Sequence, residues 1–550
     1  MTSTSTGSIQ LPALTASEPD SKTISPEVTI AYPPTQALPQ ALPQALPQLT
    51  TAGTPSSTTE VRRQYSETLT RPMLLPYAHV NQRTIPLIIS SFLFFSTLGG
   101  SIIRNALGWV GWGVWIALAV AIAIIWFVQS VRLSSQLNFK TIVRDIPIPL
   151  ALLVTVSGLS IAWSQYRLES AGGFGILIAT VFVGLTIASL LSWREITQVL
   201  DYVTRIILAG SMVFELLAAI VLQHPIAPAW ANTGVLETLQ PQNWWTEANL
   251  FEGGRIHGLV GNAADLSFIA GISLIVLSVR ITDHKVRYLS GLPWMFLAAS
   301  TLMLARSTTI IIALTVAAAV AAAVFIRRWM LDRAEVRLFW LGVTAMISTG
   351  FGVLLVLGVQ ILGLFGKNPT LTGRMEIWQG VLGLIRHDPL IGHGWVGYWS
   401  PTIQQFADIT KDWPMQQVHA HNAWLDVWLQ IGLVGLLIFA ALWFTSIRHS
   451  WLRATDVPVQ TKPGSNARVR TNSLSLLPLL LLILLLVQSF AESMILIEGT
   501  LVLFVVLSAK ISQLGQGRTL VLGNGAGNNT SNKTSSSTAN TQNLSSPFEP

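Results

Sequence analysis

Ser307–Ile326 reads STTIIIALTVAAAVAAAVFI, twenty residues without a charge, followed at once by Arg327 and Arg328. At about 1.5 Å per residue such a helix is roughly 30 Å long, the thickness of a bilayer's hydrocarbon core. Carried outward in both directions, the same reading finds apolar runs at 85–103, 109–129, 146–163, 173–191, 204–222, 260–279, 289–305, 338–360, 429–447, 474–491 and 495–511. The expected fold class is therefore an all-α polytopic membrane protein of about twelve transmembrane helices. Composition agrees: 51% of the 550 residues are apolar and only 11% charged, against about 25% charged in soluble domains.

The net charge of +7 would suggest nucleic acid in a soluble chain. Here Lys and Arg sit mostly in short loops between apolar runs, where they orient helices and meet anionic headgroups, so no nucleic-acid partner is expected. There are no cysteines, which excludes disulfides, thiolate metal sites and a cysteine nucleophile. The N-terminus lacks the basic-then-apolar pattern of a cleaved signal peptide, so the first span is expected to act as the membrane signal.

Loop charge sets the orientation. With the N-terminus inside, the inner loops 131–145, 192–203, 280–288, 327–337 and 448–470 hold sixteen Lys and Arg, and the longer outer segments hold eight. The positive-inside rule then places both termini in the cytoplasm of a multi-pass protein of the cytoplasmic (inner) membrane. It also puts two long loops, 223–258 and 361–428, on one outer face. The second is a large extracytoplasmic helical loop between helices 9 and 10. Residues 1–80 are rich in Ser, Thr, Pro and Gln, with a threefold Ala-Leu-Pro-Gln repeat from Ala37 to Gln48. Pro at every fourth position forbids a continuous helix. This stretch and the Gly/Asn/Ser/Thr tract 515–550 are expected to be disordered cytoplasmic tails flanking a membrane domain over 85–511, with its signature region at 370–440.

Chemistry is expected in the loops. After Gly373, the apolar residues Ile377, Trp378, Val381, Leu382 and Ile385 recur at helical spacing and predict an amphipathic helix, stopped by Pro389 and the Gly392–Gly394 turn. Arg374 falls in its first turn, where a cation is unfavourable unless an anion lies nearby. It either pairs locally with Glu376 or snorkels, or it serves a ligand. His421, at a helix start on the outer face, suits a base with a pKa near neutrality; the plainer alternative is an interfacial His among tryptophans. The spacing of His387, His393, His419 and His421 is not a recognised ligand pattern, and no metal is expected. Arg255 lies among glycines at the outer mouth of the sixth span, which either admit a ligand to the backbone or allow tight helix packing. Glu215, Asp265 and Glu492 are costly in lipid and are expected to face the bundle interior, paired with arginines. Trp244, Trp245, Trp378, Trp395, Trp399 and Trp413 either stack on sugar faces or anchor the interface.

The strings Gly373-Arg374-x-x-x-Trp378, Pro389-Leu390-Ile391-Gly392-x-Gly394, His421-Asn422-x-x-Leu425-Asp426 and Gly432-Leu433-Val434-Gly435, in this order, resemble the O-antigen ligase and polymerase superfamily. Ser160-Ile161-Ala162-Trp163-Ser164 resembles a signature of its exopolysaccharide-polymerase branch. Arg255-x-x-Gly258-x-x-Gly261-Asn262 resembles a segment with another functional arginine, and Gln488–Ser493 the family's acidic motif. The family's Asn-Pro-Asn is replaced here by Gly261-Asn262-Ala263-Ala264, and the Ser-rich turn near Ser307 is loosely matched.

The resemblance implies a metal-independent, inverting integral-membrane glycosyltransferase without cofactors, making O-antigen or exopolysaccharide. Its donor would be an oligosaccharide on undecaprenyl pyrophosphate at the outer face, and its acceptor a glycan or lipid. Membrane lipids, a flippase and a chain-length regulator are the further partners implied. Arg255 and Arg374 are implied as holders of the departing pyrophosphate, and His421 as base or orienting partner for the acceptor hydroxyl. Asn422, Trp378, Gly373, Gly394 and Glu492 are implied as substrate-binding positions. Two other classes stay open: a carrier of a small anion such as bicarbonate, and a non-catalytic scaffold of a polysaccharide export complex. A carrier should show broken helices at mid-bilayer and inverted repeats, which this sequence does not display.

Overall fold

Short-range caps decide where the helices begin. Ser192 Oγ accepts from Glu195 N while the Glu195 carboxylate accepts from Ser192 N at 2.8 Å. This capping box starts a helix well before the apolar run that follows it. Asn262 Oδ1 accepts from the backbone N–H of Ala264 and Asp265 and starts another. Arg306, in the left-handed region at φ 50°, ends one helix, and the next begins two residues on at Thr308.

The computed structural model describes residues 81–133, 143–231, 243–330, 335, 337–339, 341–342, 373–400, 402–410, 417–455 and 473–527. Its main helices are α1 (Asn81–Leu98), α2 (Gly100–Leu133), α3 (Ile148–Leu159), α4 (Arg167–Leu190), α5 (Trp193–Leu217) and α6 (Ala263–Thr282). They continue with α7 (Tyr288–Ala305), α8 (Thr308–Trp329), α9 (Arg374–Ile385), α10 (Ala423–Thr455), α11 (Leu477–Ser489) and α12 (Glu498–Gly527). Among the described residues there is no strand, only a single bridge between Ile226 and Thr246. The protein is all-α and polytopic.

Among the described residues seven helices are long and apolar enough to cross a membrane, and shorter apolar helices lie at Thr84–Leu98, Ile148–Ala162 and Ser473–Ser489. The expected ninth span, 338–360, falls almost entirely outside the described residues, as do both expected tails apart from 515–527. Two boundaries are corrected. The expected inner loop 192–203 is the first part of α5, because the capping box precedes a face on which Ile196, Val199 and Leu200 are fully buried. The last helix does not stop at Ile511 but runs on to Gly527.

α4 packs along α12, α6 against α5 and α7, α8 against α11, and α10 against α3 and α11. The core between them is aliphatic and aromatic, with Phe94, Ile187, Ile196, Leu266, Phe439 and Phe504 buried. Val110, Val114 and Leu118 of α2 stay exposed, a face suited to acyl chains rather than water. The segment from α9 to the start of α10 has a small core of its own. Ile377, Val381 and Ile385 of α9 pack there with Val396, Trp399, Phe406, Ala420 and Leu429, so the amphipathic helix expected after Gly373 lies against the rest of its own loop.

Candidate active site

The site is built around a broken helix. Inside α10, Ile431 and Gly432 leave helical geometry, with Gly432 at φ 69°. A Cβ there would come within 2.2 Å of the Leu390 carbonyl oxygen. Such a break strands backbone donors and acceptors, and the Pro389–Gly394 segment takes them up. His393 N donates to Leu429 O at 3.0 Å and Gly394 N to Gln430 O at 2.8 Å; Leu433 N donates to Pro389 O at 2.9 Å. The Gln430 side chain accepts from Val396 N and Gly397 N, both at 2.9 Å. The Pro-Leu-Ile-Gly-x-Gly and Gly-Leu-Val-Gly strings are therefore two halves of one joint. Gly394, at φ 115°, lies so close to Ser164 that a Cβ would sit 2.5 Å from its Oγ, and Ser160 Oγ accepts from Trp395 N at 2.9 Å. The Ser160–Ser164 string holds the same joint from the α3 side.

That joint sets where α9 and the start of α10 lie. Gly373, at φ 83°, is the residue before α9. Trp378 Nε1 donates to Ala420 O at 3.0 Å, tying α9 to the segment that carries His421. Asn422 Oδ1 accepts from Trp424 N and Leu425 N and caps α10. His421 itself is in the left-handed region at φ 50°, an uncommon state for a residue with a Cβ. Its backbone N–H donates to His419 Nδ1 at 3.1 Å.

Three distant segments then meet on one carboxylate. Glu492, in the turn between α11 and α12, accepts from Arg374 Nη2 at 2.5 Å on Oε1 and faces His421 Nδ1 at 2.8 Å on Oε2. Burial alone would raise the Glu492 pKa, but the charge and hydrogen bond of His421, then Arg374, pull it down to about 2. Arg374 has the anion its first-turn position called for, and that anion is not Glu376. With Glu492 accepting, His421 Nδ1 carries a proton. Nε2 lies 3.1 Å from Gln417 Oε1. His419, buried behind His421 with ring centroids 4.3 Å apart, is held neutral: burial, then the neighbouring His421, lowers its pKa to about 3.

Arg255 joins from the loop between α5 and α6. Its Nε donates to Ala305 O at 3.1 Å. Burial lowers its pKa, and it senses Glu492, Arg374, Glu247 and Arg306; guanidinium stays charged in such surroundings. Arg306 approaches the same loop, its Nη2 lying 3.7 Å from where a Gly253 Cβ would be. Arg306 was not a candidate from the sequence; its signal is a lone cation in a turn between two apolar runs. Glu215 is a correction. Instead of pairing with an arginine, it accepts from Thr246 Oγ1 at 2.6 Å, His257 N at 3.0 Å and Gly258 N at 2.6 Å. It thus satisfies the backbone donors of the loop bearing Arg255. Asp265 occupies the first turn of α6, its backbone N–H donating to Asn262 Oδ1 at 3.2 Å.

His419, His421 and Glu492 present ligand atoms within 4.8 Å of one another. The set does not suit a cation, because the Arg374 guanidinium already lies against its carboxylate. His419 Nδ1 accepts from His421 N, and the two Glu492 oxygens serve Arg374 and His421. Two of the tryptophans considered for stacking are also corrected. Trp395 and Trp399 are 1% and 2% exposed, which leaves no ring face for a sugar. Trp413 lies outside the described residues.

Residues 294–440 match the family model described as O-antigen ligase, a segment holding Arg306, Arg374, His421 and the α10 joint. A stretch of 92 residues is 33% identical to the exopolysaccharide production protein ExoQ of Rhizobium meliloti (strain 1021), covering 16% of this chain and 20% of that protein. Both findings bear out the resemblance to O-antigen ligase- and polymerase-like proteins that the motifs carried.

Proposed function

We propose that this protein is a membrane-embedded polymerase or ligase of glycans, acting at the outer face of the cytoplasmic membrane on a polyprenyl-pyrophosphate-linked oligosaccharide. The observation that carries the reading is the meeting of Arg374 and His421 on the two oxygens of Glu492, with Arg255 in the same field. Arg374 and Arg306 lie in the field of Arg255 together with Glu492 and Glu247, a gathering of guanidinium groups that an anionic ligand would engage. The match to the O-antigen ligase model and the likeness to ExoQ support the choice of glycan chemistry.

In this reading the acceptor hydroxyl attacks C1 of the donor sugar. The C1–O bond to phosphate breaks, and the electron pair leaves on the polyprenyl pyrophosphate. Arg255, Arg374 and Arg306 take up the charge that accumulates there through charge-assisted contacts. Glu492 fixes a proton on His421 Nδ1, and in the neutral ring Nε2, once turned from the Gln417 amide oxygen to the acceptor hydroxyl, receives that hydroxyl's proton. Attack from the face opposite the leaving group inverts C1, and no step requires a metal. A flippase that presents the donor and a regulator of chain length fit as partners of this step. Mass spectrometry of surface glycans from a deletion strain, complemented in turn by parent, Arg374→Ala and His421→Ala chains, tests the reading. Loss of polymer with both variants at parental expression is expected, and turnover should fall at least about a hundredfold. Parental polymer from the Arg374→Ala chain would refute it.

A further inference from the structure

Asp426 is fully buried three residues into α10, and everything around it donates to it. Trp399 Nε1 gives its proton to Oδ1 at 2.8 Å, and Ala420 N gives its own to Oδ2 at 2.9 Å. The Ser493 hydroxyl donates to the same Oδ2, and in turn accepts from Asn422 N at 3.1 Å. The three donors come from different stretches. Trp399 belongs to the small core between α9 and α10, Ala420 precedes His421 directly, and Ser493 follows Glu492 directly. Among the described residues no guanidinium or ammonium group pairs with Asp426; burial works against its charge, and the hydrogen bonds from Ser493, Ala420 and Trp399 work for it. A carboxylate is the one side chain that accepts at both ends with no donor of its own.

From this we infer that Asp426 is the positioning residue of the site, the link that sets the distance and angle between His421 and Glu492. It touches no reacting group. It acts by clamping the backbone on the near side of each: Ala420, which with His419 holds His421 in its left-handed conformation, and Ser493, which holds the Glu492 turn against Asn422. Gln430, one turn along the same buried face of α10, anchors the Gly394–Gly397 loop as Asp426 anchors the His421–Glu492 pair. The inference rests on the proposed role of His421 and says which residue makes that role geometrically possible.

Hydrogen-bond logic provides the test. In Asp426→Asn the amide group must face either Trp399 Nε1–H or Ala420 N–H, donor against donor. Changing Trp399 to Phe removes the first of these conflicts. In Asp426→Asn/Trp399→Phe the amide nitrogen can occupy the Oδ1 position, while the amide oxygen still accepts from Ala420 and Ser493. The full-length chain and its variants, purified in detergent, would be supplied with the polyprenyl-linked oligosaccharide fraction extracted from a deletion strain. Apparent kcat, KM and thermal stability would be measured together. Asp426→Asn is expected to lower kcat at least tenfold with KM within twofold, since the arginines are untouched. The double variant should recover to within threefold of Trp399→Phe alone. A double variant as slow as Asp426→Asn, or an Asp426→Asn chain at parental kcat, would overturn the inference. His421→Ala, run in parallel, separates the two levels. If it is inactive while Asp426→Asn is unaffected, the positioning role alone falls. If it retains parental turnover, the assignment of His421 falls and the positioning role with it.

Discussion

Replacing Glu492 by Gln tests the centre of the site with the smallest change of shape. The carboxylate accepts two charge-assisted hydrogen bonds, 2.5 Å from Arg374 and 2.8 Å from His421. A carboxamide has one accepting end. If its oxygen stays with Arg374, its NH2 group faces His421 Nδ1, which must then give up its proton, and Nε2 becomes protonated and unable to act as a base. If the oxygen turns to His421, the NH2 group faces the Arg374 guanidinium, donor against donor. Either way one charge-assisted bond is lost, about 2 kcal/mol within a range of roughly 1.5–3. At about 1.4 kcal/mol per tenfold, that is roughly a thirtyfold fall in turnover. The assay is the initial rate of polymer formation by membranes supplied with the lipid-linked fraction, resolved by size on a gel. Unfolding temperature serves as the control. A Glu492→Gln chain within threefold of the parental rate, at unchanged unfolding temperature, would refute the assignment of Glu492 as the group that orients His421.

Acid should weaken the site in two steps. The His419 pKa lies at about 3, below its ordinary 6.5, so between these values the unfolded chain binds a proton that the folded one refuses, and stability falls as pH drops below about 6.5. Glu492, lowered to about 2 from 4.5, contributes stability above pH 4.5 that is lost as pH falls from 4.5 toward 2. Unfolding temperature measured against pH checks both. His419→Asn, whose oxygen can still accept from His421 N, should flatten the upper step alone. Gly394→Ala places a methyl 2.5 Å from Ser164 Oγ at φ 115° and should cost about 1–3 kcal/mol through overpacking and backbone strain. A fall in unfolding temperature accompanied by loss of polymer is expected, and an unchanged temperature would count against the joint between Pro389–Gly394 and α10.

The helices were legible in the sequence because their causes are local. Ser307–Ile326 spans by length and composition alone, and Ile377, Val381 and Ile385 announce a buried face by spacing; the Ser192–Glu195 capping box is equally local, yet apolar runs alone place 192–203 in a loop. The ordered strings around Arg255, Arg374, His421 and Glu492 likewise pointed to the residues that the fold brings together. Their arrangement was decided elsewhere. Arg374 and Glu492 are 118 residues apart, and His421 and Glu492 are 71 apart; no local propensity couples positions at such distances. The break at Gly432, legible only as a glycine in an apolar run, becomes a joint because Pro389–Gly394 folds back to satisfy the backbone it frees. Glu215 shows the same division: its type and its place in a span predicted a buried, partnered carboxylate. That the partners are backbone N–H groups of the Arg255 loop rather than an arginine follows from which donors the packed chain left unsatisfied beside it.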